Sequence, residues 1–184
     1  MRYLAKIRAG LVTGLLVCCS CWREGAPEHN DELLKLFSEH LQLGMRLSEV
    51  QHRVPGLAFS RYSGYKAGGA LPFGFNERTF TFDEFGDEFP SAPDAPLRAI
   101  HWFADSIPAE PILRKVVRTI GEPDRIGCTG GRANVYIWTG RRRGVFVTVL
   151  PRTAALSHVH LAYHDGQWRN NRVYSFTDGF CRQT

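Results

Sequence analysis

The segment Pro111–Tyr163 constrains the fold more than any other part of the chain. It opens as PILRKVVRTIGEPD, where Ile112, Leu113, Val116, Val117 and Ile120 recur at helical spacing and fall on one stripe. Gly121 can adopt the left-handed conformation that ends a helix, and Pro123 prevents it from restarting. ANVYIW then reads as a strand by its β-branched and aromatic content. TGRRRG is a turn, VFVTVLP a second strand and LSHVHLAY a third. A helix followed by hairpin-linked strands buries its stripe by lying across the sheet those strands make.

A looser version of this order comes earlier. LSEVQHRVPGL is a short helix closed by Pro55-Gly56. RTFTFDEFGDEF predicts strand, turn and strand, and LRAIHWFA the last strand. Residues 60–76 read as a strand followed by a loop, and residues 89–96, with three prolines, as a linker. DELLKLFSEHLQL (31–43) predicts a helix with Leu33, Leu34, Phe37 and Leu41 on its apolar stripe. Ile100, His101 and Trp102 fall on Val159, His160 and Leu161 when the two stretches are aligned. The expected fold class is therefore α+β, with two tandem helix-on-antiparallel-sheet repeats over 31–104 and 105–184. The second repeat includes a closing strand in RVYSFTDGF.

Residues 1–20 read as an export signal: Arg2, Lys6 and Arg8 precede the apolar run AGLVTGLLV. That run is too short to span a bilayer, which needs about 20 apolar residues. It ends in CCSCW, which resembles the cleavage site of bacterial lipoproteins, where a cysteine becomes the lipidated first residue. Cys21 is the expected lipidation site, with Cys19 as its alternative, and residues 21–30 are the tether. An ordinary cleaved signal is the competing reading. Neither cysteine is followed by aspartate, which points to the outer membrane in a Gram-negative cell. Cys128 and Cys181 remain, and in an oxidising compartment they are expected to pair; two free thiols are the alternative.

GMRLSEVQHRVPGL (44–57) resembles the opening of small outer-membrane assembly lipoproteins of the SmpA/OmlA type. Gly44, Met45, Glu49 and Val50 match their motif; Arg46 stands where that family has a capping Ser or Thr, and Val-Pro-Gly where it has Gly-x-Pro. Gly121-Glu122-Pro123-Asp124 matches the same helix end in the second unit. The tandem order is similar to that of β-lactamase inhibitor proteins, which bind an enzyme on a concave sheet. The resemblance implies an envelope location and a protein partner.

Charge is polarised. Residues 22–110 carry 8 basic and 14 acidic residues; residues 111–184 carry 12 basic and 4 acidic. A basic half can meet an acidic partner or anionic head groups, or be a solvated surface. Arg141, Arg142 and Arg143 in one turn are the candidate anionic contact. An exported protein rarely meets nucleic acid, so none is expected as a partner.

If Val135 and Ile137 face the helices, Tyr136 and Trp138 join His101, His158 and His160 on the opposite face. That aromatic and cationic surface is the candidate protein-binding face, since aromatics and arginine dominate binding hot spots. His158, His160 and His164 share a strand, but no acidic or cysteine ligand stands at a recognised metal spacing. Asp83, Glu84, Asp87 and Glu88 read as a solvated hairpin tip rather than a calcium loop. The sequence contains no nucleophile elbow, zinc-protease motif, phosphate loop or dinucleotide fingerprint. The expected role is a lipid-anchored, non-catalytic binding module with no cofactor. The alternatives are a secreted enzyme inhibitor and a small metal-dependent hydrolase.

Overall fold

A computed structural model describes residues 31–37, 40–61, 64–69, 71–82, 91–140, 143–165 and 177–181. Helices α1 (Asp31–Phe37) and α2 (Leu47–Arg53) precede strands β1 (Ala58–Ser60), β2 (Gly64–Gly68), β3 (Glu77–Thr81) and β4 (Ala99–Ile107). Helix α3 (Glu110–Ile120) leads into β5 (Arg125–Thr129), β6 (Ala133–Thr139), β7 (Arg143–Pro151) and β8 (Ser157–Asp165). The short strand β9 (Thr177–Asp178) closes the described chain. The fold is α+β.

Local sequence explains the helices. Asp31 and Glu32 occupy the first turn of α1, where the helix dipole favours acids. The Glu49 carboxylate accepts the Arg46 backbone N–H at 2.9 Å, so α2 is capped without the usual Ser or Thr. Pro111 sits in the first turn of α3, where its missing N–H costs nothing. Gly121 ends α3 at φ 87°, and its N–H donates to Val117 O at 2.8 Å. Ile112, Val116 and Ile120 are buried, as the helical spacing predicts.

The nine described strands form one antiparallel sheet in the order β1-β2-β3-β4-β8-β7-β6-β5-β9. The centre is the β4–β8 pair, where Trp102 stands opposite Leu161 and His101 opposite Ala162. One core lies between the helices and one sheet face. Leu33 and Phe37 from α1, Val50 from α2 and Val116 from α3 meet Phe80, Ile100, Trp102, Val145, Val147, Val159 and Leu161 there. Phe37 packs 5.5 Å from Trp102, centroid to centroid. A smaller cluster of Val135, Phe146 and Ala162, with Ile137 against it, lies on the other face.

Several expectations change. Strand β5 occupies Arg125–Thr129, for which no strand was expected; Cys128 is inside it, and the turn before β6 is confined to residues 130–132. The α1 helix is described over Asp31–Phe37, and residues 41–43, expected to belong to it, are not helical. β4 runs on to Ile107 past a bulge between Ala104 and Ile107, where Ser106 takes φ 55°. The strand expected within residues 60–76 is β2, and β1, which was not expected, lies before it; of the expected closing strand the described part is Thr177–Asp178. The expected signal, tether and lipidated cysteine, and the second strand of the acidic hairpin, lie outside the described residues.

Candidate functional site

Among the described residues, the face of the β4–β8 pair turned away from the three helices carries the densest set of chemistry-bearing side chains. Antiparallel partners point to the same side of a sheet, and side chains alternate along each strand. His101 and Phe103 on β4 therefore share a face with His158, His160 and His164 on β8 and with Phe146 on β7. The sequence HWFA places Trp102 on the helix side and the flanking His101 and Phe103 on this one.

The rings are in contact. His101 Nδ1 lies 3.0 Å from His160 Nε2, within hydrogen-bond distance. Phe103 stacks on the His160 ring with centroids 4.3 Å apart and planes 12° from parallel. Phe146 presents an edge to His160 at 5.5 Å and lies 5.6 Å from the His164 ring. His164 Nδ1 sits 2.8 Å from the backbone oxygen of Asp165. The His164 ring lies over Gly144, where an added Cβ would fall 2.3 Å from its Cε1. His158 Nδ1 is 3.5 Å from the Asp105 carboxylate, which also faces Arg152 at 3.6 Å.

Burial sets the protonation of this cluster. His101 is 7% exposed. Desolvation first, and then the charge of His164, hold its pKa down at about 4. His160 is held well below the usual imidazole value by desolvation, then by His101 and His158. Both rings are neutral at pH 7. Among the described residues, no group of three or more His, Cys, Asp and Glu side chains is arranged to hold a metal ion. His101 and His160 are thus packed as neutral rings against Phe103 and Phe146 rather than as cations.

Two members of the expected face belong elsewhere. Tyr136 and Trp138 point toward the helices, not toward the histidines. Trp138 is 3% exposed and pairs with Val145, and its indole N–H donates to Gly121 O at 2.8 Å, at the end of α3. Val135 and Ile137 occupy the histidine side instead. ANVYIW is apolar on both faces, so its period of two could not say which side meets the helices. Phe103, Phe146 and Gly144 were not read as site residues. The alternation of HWF, and the phenylalanine between Val145 and Val147, are the signals that carry them.

The remaining expected contacts are structural in placement. Arg143 begins β7, 3.8 Å from Asp31, whose carboxylate also accepts a hydrogen bond from the Tyr163 hydroxyl. Arg141 and Arg142 lie outside the described residues. Cys128 and Cys181 are joined by a disulfide across 53 residues.

No family model, curated protein or solved structure matches this chain.

Among the described residues no helix is long and apolar enough to cross a membrane. What the site offers chemically is an aromatic and imidazole surface with partly exposed Phe103, His158, His160 and Ile137.

Proposed function

We propose that this chain is an exported, lipid-anchored envelope protein that works as a non-catalytic protein-binding module. The observation that carries the reading is the one-sided sheet. The helices and the main core take one face, and the imidazole and phenylalanine row crosses the other at the centre of the sheet. The Cys128–Cys181 bond fits an oxidising compartment, in line with the signal-like first 20 residues.

The finer architecture we propose is two tandem helix-on-sheet units joined through their last strands. Element order supports it: helices, then four strands in a meander, then a helix and four strands again. The β4–β8 register supports it too. His101 and His160 are 59 residues apart, and the same shift carries Phe103 onto Ala162. It therefore exchanges the pair His101–Ala162 with the pair Phe103–His160, as a local two-fold axis through Trp102 and Leu161 would. The protein partner is an envelope component, and the lipid anchor at Cys21 or Cys19 supplies membrane attachment.

Acyl labelling of the full chain in cells, combined with photocrosslinking from residue 103 or 158, tests both parts. Labelled protein with crosslinks from these positions and not from exposed helix-side positions is expected. A freely secreted, unmodified form would reject the anchor and leave the secreted-inhibitor reading. Crosslinks confined to the helix side would reject the binding face.

A further inference from the structure

We infer that the histidines on the face of β4 and β8 opposite the described helices form an acid-sensitive seam, in which neutral imidazoles clasp the two halves of the sheet and protonation loosens the joint. The inference goes beyond the binding role and does not depend on it.

The position is what gives these rings leverage. Among the described residues, β4 and β8 are the only neighbouring strands in the sheet order that join β1–β4 to β5–β9. His101 is on one side of that junction; His158, His160 and His164 are on the other. The His101–His160 contact at 3.0 Å crosses it. A hydrogen bond between two imidazoles needs one N–H and one lone pair. It survives while at least one ring is neutral, and it is lost when both are charged. Phe103 lies flat against His160, and Phe146 meets it edge-on, so the ring is packed as an apolar group. A neutral imidazole tolerates that packing, whereas a buried imidazolium is penalised by lost hydration.

The neighbouring strands place their own groups around the row. On β3, Thr79 stands opposite His101 and Glu77 opposite Phe103. On β2, Lys66 stands opposite Thr79 and lies 3.8 Å from Glu77. On β7, Thr148, Phe146 and Gly144 stand opposite His160, Ala162 and His164. At the end of β4, Asp105 faces both His158 and Arg152. Asp165, at the end of β8, is held by Arg98 at 3.0 Å. The carboxylates of Glu77, Asp105 and Asp165 are thus each already matched to a lysine or arginine, while each proton added to the row places a positive charge beside other imidazoles.

Burial lowers the affinity of His101 and His160 for protons, His101 to about 4. The unfolded chain, with ordinary histidines near 6.5, then binds more protons than the folded one between those values. Stability is therefore fully retained above about pH 6.5 and falls as the pH drops toward 4.

The test is thermal unfolding of the full chain from about pH 7 to about pH 4.5 at constant ionic strength, for wild type and for the double variant His101→Gln/His160→Gln. Ring-proton NMR titration of the wild type accompanies it. The wild type is expected to lose on the order of 10 °C more than the variant across that range. Two of its histidines are expected to titrate well below the rest. Parallel melting curves would overturn the inference. So would wild-type spectra in which every histidine titrates near 6.5, and that readout decides the matter even if the double variant does not fold.

Discussion

At the scale of single residues, close approaches rather than residue classes decide what each side chain does. Gly144 has no positive φ to explain it; the His164 ring occupies the place of its missing Cβ. Gly144→Ala is expected to displace that ring and cost about 1–3 kcal/mol by denaturant titration. Gly68→Ala, whose Cβ would meet only Asn76 O at 3.9 Å, is the neutral comparison. Tyr163 makes a similar point through a hydrogen bond. Its hydroxyl donates to Asp31 at the start of α1, and burial, helped by that bond, pushes the phenol up. Tyr163→Phe is expected to cost about 1.5 kcal/mol. Hydrogen exchange should show the loss first in α1, because the bond ties that helix to β8. Two of the four tryptophans, Trp102 and Trp138, differ in the same way. Trp138 spends its N–H on Gly121, while Trp102 Nε1 is buried with no hydrogen-bond partner among the described residues.

At the scale of elements, the ends are where support from outside the element matters. The α3 helix was legible because five apolar residues share its stripe and Gly121 stops it; Trp138 then holds the carbonyl of Gly121, just past its last turn. Strand β5 was not legible. RIGCT has little alternation, and the glycines beyond it read as a loop. Its strand form rests on pairing with β6 and on the chain end at β9. That end is held by the Cys128–Cys181 bond, by Arg125 on Asp178 at 2.6 Å and by Gly179 N donating to Ile126 O. The disulfide closes a span of 53 residues, which corresponds to about 4 kcal/mol of lost chain entropy in the unfolded state. Reduction, or Cys128→Ser with Cys181→Ser, is expected to lower the melting temperature by about 8–16 °C. Proteolysis after reduction should begin at the β9 end rather than in α3.

At the scale of the whole molecule, one core serves strands from both halves of the chain. Trp102 is fully buried at the middle of the sheet, between Phe37 and the row that includes Leu161. Trp102→Ala is expected to cost about 3–5 kcal/mol. Calorimetry should still show a single transition, because β4 and β8 cannot separate without exposing the core of both halves. Two resolved transitions would mean that the halves unfold independently.

The amino-acid pattern alone determined that α3 buries Ile112, Val116 and Ile120, and that Ile100 and Val159 point inward with His101 and His160 on the other side. Those assignments need only local periodicity, since each segment has one clearly apolar face. Tertiary structure decided which side of β6 meets the helices, that β4 and β8 lie side by side, and that four histidines and two phenylalanines converge there. A strand apolar on both faces has no preferred side until its neighbour's register imposes one. Pairing between strands far apart in the chain is set by the shared core, which no local window contains.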